Sequence, residues 1–187
     1  MNPELEKQLV EKYPTLFRSY NGDPKETCMA WGCEHDDGWY DLLSNLCEYI
    51  TAVCRGKMVV KYREDYVKTE EEKKHEEETG LKNAHIPIPQ PRFTQIKEKF
   101  AGLRIYFDMY DDTSIEELEK YDNEDYKKQF DRYWSEVSNA INFTEFLSHK
   151  TCEICGKKGK INRSGWWKTL CPDHMGNRVE ISEEEMP

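Results

Sequence analysis

The chain has no apolar run approaching the roughly 20 residues that a membrane helix requires. Its opening, MNPELEKQLV, lacks the basic and apolar regions of a secretory leader. These absences predict a protein that stays out of membranes and works in the cytoplasm. Hydrophobic residues are scarce, 37% of 187, and mean hydropathy is −0.94, which predicts one modest core and excludes two large domains. Basic residues are the scarcer charge, 27 Lys and Arg against 37 Asp and Glu for a net −10. The whole molecule therefore repels nucleic acid and anionic membranes at long range. Also missing are a Gly-rich phosphate loop, a Ser nucleophile elbow and paired His residues on one helix, the signatures of nucleotide, hydrolase and metalloprotease sites. Aromatic residues are not scarce. Five Trp, 11 Tyr and 7 Phe bury too much apolar area to suit a disordered chain.

The charge is unevenly spread. Between His149 and Arg178 seven basic residues stand against Glu153 and Asp173, and beyond them Glu180, Glu183, Glu184 and Glu185 reverse the sign. The pattern predicts three parts: an acidic body over residues 1–148 with a charged insert at about 62–90, a basic module over 149–178, and an acidic tail over 179–187. The module's positive charge serves either to dock it on the acidic body or to face a partner.

Seven cysteines is an odd number, and without a leader it argues against a disulfide framework. Four residues of the module have metal-ligand spacing instead. Cys152 and Cys155 form a C-x2-C knuckle followed by Gly156, whose turn points backbone N–H groups at the sulfurs. Fifteen residues later, Cys171 and His174 supply a C-x2-H pair. Three thiolates and an imidazole suit tetrahedral zinc, and a shell filled by protein leaves no position for a catalytic water. Between the pairs, Gly159–Leu170 reads as a short hairpin and Pro172 opens a helical turn, the order of a treble-clef finger. That scaffold also underlies His-Asn-His nucleases, but the segment from Gly156 to Leu170 has no His or Asp to act as general base. Trp166 and Trp167 are expected to pack the hairpin on neighbouring structure. As a partner-facing surface, the module would offer Lys157, Lys158, Lys160, Arg163 and Lys168 with one of these tryptophans.

A looser cluster, Cys28, Cys33, His35, Asp36 and Asp37, precedes Gly38-Trp39. Its spacing fits no ligand pattern, so a structural loop with Trp31 and Trp39 buried is expected; a thiolate beside a base is the enzymatic alternative. Cys47 and Cys54 fall on the apolar face of a helix that Asp36 or Asp37 would cap and that ends near Gly56. A first helix spans residues 4–12. The run KTEEEKKHEEETG reads as a solvated helix or an arm, and His85–Pro91, with alternate prolines, as an extended connector. The alternation of Leu103, Ile105, Phe107 and Met109 predicts a half-buried strand paired with Phe93–Lys99. Asp111–Ser114 would cap a helical region interrupted near Asp122 and running to about Leu147. The expected fold class is α+β: helices around a small antiparallel sheet, with the treble-clef-like finger at the C-terminal end.

The blocks Gly38–Leu43, Gln95–Tyr106, Ala140–Phe143, Ser148–Gly156 and Trp167–His174 resemble those of a family of small proteins common in bacteriophage and prophage genomes. Its members show GDGW, KEKFGGLRFY, TCEVCG and TLC..H blocks in the same order. The resemblance spans most of residues 33–174, carries the four metal ligands intact, and departs at the insert and at 116–139. It implies a phage-type source and hence the host cytoplasm. With a closed zinc site and no catalytic constellation, the expectation is a non-enzymatic protein that engages a host protein, as an inhibitor of a defence or replication factor. Nucleic-acid binding through the basic module and an enzyme built on Cys33, His35 and Asp37 are the alternatives.

Overall fold

The computed structural model describes residues 1–110 and 115–181. Helix α1 (Pro3–Lys12) starts where Asn2 Oδ1 accepts the Glu4 N–H at 2.9 Å. After an irregular stretch come β1 (Cys33–Glu34), a 3-10 turn at Asp37–Trp39, and α2 (Tyr40–Cys54). Neither Asp36 nor Asp37 caps α2, contrary to expectation. The 3-10 turn leads directly into the helix, and both carboxylates have other partners: Asp37 accepts the Asn2 N–H, and Asp36 pairs with a lysine of the finger.

Strand β2 (Lys57–Val60) pairs antiparallel with β3 (Ala84–Pro87). The proline-rich stretch is thus more than a connector. In a two-stranded ribbon Pro87 can sit at the strand end without removing a needed donor, while Ala84 and Ile86 point into the core. Between these strands the charged run forms α3 (Glu70–Thr79), with a reciprocal Thr69/Glu72 capping box, left-handed Gly80 after its last turn, and no buried residue. It is a solvated helix, as its composition predicts.

The central hairpin is β4 (Gln90–Lys99) and β5 (Gly102–Tyr110), antiparallel with a bulge between Phe93 and Gln95, and β1 adds to β4 in parallel. Leu103, Ile105 and Met109 are buried, as the alternation predicts. The expected cap at Asp111–Ser114 lies outside the described residues. Helix α4 (Ile115–Leu118) is followed by α5 (Asn123–Ser148), where Asp122 accepts the Asp125 N–H; the predicted interruption at Asp122 is this cap. The body has one continuous core in which α2 (Leu43, Leu46, Ile50), α5 (Val137, Ile141) and the hairpin (Phe93, Ile96, Leu103) meet. Phe17 packs edge-to-face on Phe93 at 5.3 Å. Among the described residues no helix is long and apolar enough to cross a membrane.

The chain leaves α5 directly into the finger: a knuckle at 151–158, β6 (Lys160–Ser164), β7 (Trp166–Leu170) and α6 (Pro172–Met175). Strand β8 (Val179–Glu180) then pairs with β6, and Ile181 is buried. The segment expected as an acidic tail therefore begins as part of the finger's sheet, because Ile181 has an apolar neighbour in Ile161. Glu183, Glu184 and Glu185 lie outside the described residues. The molecule is α+β, with helices about small sheets.

Candidate metal centre

The knuckle is built by backbone hydrogen bonds. The Cys152 N–H donates to Lys157 O at 2.7 Å and the Gly156 N–H to Cys152 O at 2.9 Å, with Gly156 at φ 75°. This turn carries Cys152 and Cys155. The Glu153 N–H donates to Thr169 O at 2.9 Å, which ties the knuckle to β7 and so to Cys171 at its end. Cys171 is the N-cap of α6, whose first turn places His174 beside it.

The four ligand atoms, three Sγ and His174 Nδ1, all lie within 4.8 Å of one another. His174 Nδ1 is 3.5 Å from Cys152 Sγ and 3.3 Å from Cys171 Sγ, and Cys155 Sγ is 3.7 Å from Cys171 Sγ. No disulfide links any of the seven cysteines. Burial works against the Cys152 thiolate, but the N–H groups of Cys171, Cys155 and Ile154, with the His174 side chain, outweigh it and bring its pKa down to about 6. A thiol poised to deprotonate among convergent donors is the chemistry of a metal site. These are the four residues that the spacing singles out.

The surrounding attachment was not legible in the sequence. The Gly38 N–H donates to Glu153 O at 2.7 Å, so the N-terminal loop lies directly on the knuckle. A Cβ on Gly38 would stand 2.1 Å from Cys152 O, 2.6 Å from Glu153 O and 2.6 Å from Gly156 N, all backbone atoms. Only glycine permits that approach. The next residue, Trp39, is fully buried and donates its indole N–H to Thr151 O at 2.8 Å. From the other side, Thr169 Oγ1 donates to Ala101 O at 2.7 Å and Ser148 Oγ accepts the Leu103 N–H at 2.8 Å.

The basic residues of the module divide. Lys168 pairs with Asp36 of the body at 3.0 Å and with buried Glu153 at 3.3 Å. Burial raises the Glu153 pKa while Lys168 opposes it. Lys157 pairs with Asp173, and Lys160 with Glu180. Three of the five cations are thus matched within the molecule, but only Lys168 reaches the body; Lys157 and Lys160 pair within the finger. Lys158 is exposed, and the Arg163 side chain lies outside the described set. Trp167 packs on Ala101, Ile161 and Ile181, as expected. Trp166 does not pack; it is 68% exposed and donates its N–H to Glu98.

The N-terminal cluster does not converge. Cys28 is exposed, and Cys33 is buried with its pKa raised by burial and by Glu6, so it offers no thiolate. His35 is buried, and desolvation brings its pKa down to about 4, with Nδ1 at 2.8 Å from Asp36 O. Trp39 is buried, as expected, but Trp31 is 70% exposed: its 3-10 turn gives Met29 to the core and leaves Trp31 in solvent. Cys47 and Cys54 are buried in the core. Among the described residues the finger's four ligands are the one group placed to hold a metal ion. No protein-family model, no curated protein and no solved structure matches the chain.

Proposed function

We propose that this chain is a non-enzymatic binding protein of phage type, in which a structural zinc ion fixes the finger to the body and the assembled surface engages a host protein. The observation that carries the zinc assignment is the spacing of the four donor atoms. Zinc bonds of about 2.3 Å to sulfur and about 2.0–2.1 Å to nitrogen make a tetrahedron whose edges are roughly 3.5–3.8 Å. Three of the six separations, 3.3, 3.5 and 3.7 Å, support it, and all six lie within 4.8 Å. With all four positions supplied by the chain, the ion stabilises and has no place for a substrate. The buried, protonated Cys33 and neutral His35 supply no alternative catalytic pair, which supports recognition over turnover.

The phage-type source rests on the ordered blocks around Gly38, Gly102, Cys152 and Cys171, and a host defence or replication factor is the partner that such a source favours. Two measurements test the reading. Elemental analysis of the purified chain is expected to give one zinc per molecule, and an absence of zinc with an intact fold would refute the structural role. Affinity capture from bacterial lysate, with and without nuclease, is expected to retain one host protein after nuclease. Loss of every partner on nuclease treatment would overturn the host-protein reading.

A further inference from the structure

The finger and the central hairpin meet at a second feature that the metal site does not explain. A cleft of about 630 Å³ opens between the β4–β5 turn and the β6–β7 turn, lined by Lys97, Glu98, Lys99, Phe100, Trp166 and Trp167. Two of these residues are large aromatics left in solvent, Phe100 at 54% and Trp166 at 68% exposure. Neither serves a core.

Phe100 and Ala101 both take left-handed backbone conformations, φ 52° and 63°. A two-residue hairpin turn of this shape normally recruits Asn and Gly, because a Cβ strains it. The finger explains Ala101, which is fully buried beside Ile161 and Ile181 and whose carbonyl accepts from Thr169. Nothing buried explains an aromatic residue at the strained position before it. Strain kept at a half-exposed residue whose ring meets only the Lys99 ammonium among the described residues points to function. Opposite, Trp166 is held by its edge, since its indole N–H donates to Glu98 Oε2 at 3.1 Å. That bond fixes the ring while leaving its faces to the solvent.

The charge of the cleft differs from that of the molecule. Glu98 is its one lining carboxylate, and both oxygens are engaged, Oε1 by the Ala101 N–H at 2.8 Å and Oε2 by Trp166. Lys97 lies over the Tyr106 ring and Lys99 over the Phe100 ring, and among the described residues neither meets a carboxylate. At physiological salt, screening over about 8 Å confines the acidic body's repulsion to its own surface.

We propose that this cleft binds single-stranded nucleic acid, with a base stacked against Phe100 and Trp166 and the flanking phosphates on Lys97 and Lys99. Exposed aromatic faces beside unpaired lysines are the arrangement by which single strands are held without sequence readout, because every base has a stacking face. A duplex keeps its bases stacked within itself and cannot offer one. The inference goes beyond the host-protein reading and does not depend on it. It also differs from binding through Lys157, Lys160 and Lys168, which are spent in ion pairs.

The test is fluorescence anisotropy of a labelled 12-nucleotide oligothymidylate with the purified, zinc-loaded full chain at about 0.15 M salt, alongside quenching of tryptophan emission. Binding and quenching are expected, with the duplex of the same length at least tenfold weaker. Trp166→Ala is expected to weaken binding about tenfold, as loss of one stacking partner does. Phe100→Gly is expected to weaken it similarly while raising the melting temperature, since glycine relieves the turn. That pairing separates lost contact from lost fold. Lys97→Ala with Lys99→Ala is expected to lower the log–log salt slope by about 1.4, from about 0.7 per phosphate contact on a single strand. The control Trp31→Ala removes an exposed tryptophan outside the cleft and is expected to change nothing. No binding at that salt, equal affinity for duplex, full affinity in Phe100→Gly and Trp166→Ala, or equal competition by polyglutamate of matched charge would each overturn the proposal. Because this assay contains no host protein, its failure leaves the capture experiment unaffected.

Discussion

Two regions of this molecule are rich in the same residue types, and they use them in opposite ways. In the finger, Cys152, Cys155, Cys171 and His174 bring their donor atoms within 4.8 Å of one another. In the N-terminal loop, Cys33 and His35 turn into the core and Cys28 turns out to solvent. The difference lies in the backbone. The finger's two pairs each sit on a tight turn, one closed by left-handed Gly156 and one by the start of α6, and β7 holds the turns together. The loop's candidates are scattered instead over a 3-10 turn (Cys28), the two-residue β1 (Cys33) and the bend after it (His35), with no tight turn that pairs them. Metal-ligand chemistry therefore depends less on the number of Cys and His residues than on turns that aim them at one point. The two regions are nonetheless one assembly, since Gly38 and Trp39 of the loop fasten the knuckle.

The largest break in this comparison is removal of the metal that the finger is proposed to hold. Binding to modules of this kind carries about 10–16 kcal/mol of apparent free energy, so chelation or Cys171→Ser is expected to unfold the finger. Amide exchange should show protection lost over residues 150–181 while α2 and α5 keep theirs. Cys33→Ser should leave metal content unchanged, which sharpens the contrast between the clusters.

Gly38→Ala tests whether the two regions are truly joined. The added methyl would meet backbone atoms that cannot rotate away, and overpacking of that kind costs about 3 kcal/mol. A comparable loss in chemical denaturation is expected, together with faster exchange of the Glu153 and Gly156 amides. A silent substitution would mean that the close approach of Gly38 is not needed to hold the finger on the body.

The His35 side chain gives the loop a pH signature. Its pKa falls from an ordinary 6.5 to about 4 on folding, through burial. The unfolded chain therefore takes up a proton that the folded chain refuses. The contribution is fully present above about pH 6.5 and is lost as pH falls from there towards 4, up to about 3 kcal/mol in all. Acid also displaces metal from thiolates, so the measurement is the difference in stability slope between the parent and His35→Gln over that window. The variant should be flatter. A smaller effect is expected at Trp39→Phe, which removes one hydrogen bond to Thr151 O at about 1 kcal/mol and leaves most of the buried ring in place; the melting temperature reads it.

Several local features were legible because they depend on near neighbours. The C-x2-C and C-x2-H pairs, the alternation from Leu103 to Met109 and the interruption at Asp122 each reside within a few residues of chain, where periodicity and turn chemistry act directly. Others were misread for equally local reasons. The prolines of 85–91 suggested a connector, but Pro87 is harmless at the end of a two-stranded ribbon. Trp31 looked like a core residue by type, yet it faces solvent.

The sequence by itself determined the four Cys and His residues of the candidate metal site, the α+β class and the acidic body with a basic end, since spacing, periodicity and charge are properties of the chain read in order. Tertiary structure alone decided what those pieces do to one another. Trp39 meets Thr151 across 112 residues, Lys168 spends its charge on Asp36 across 132, and Gly38 is required only because a second backbone arrives on top of it. Such contacts leave no periodic trace, because their physical cause is the close approach of segments that share no local pattern.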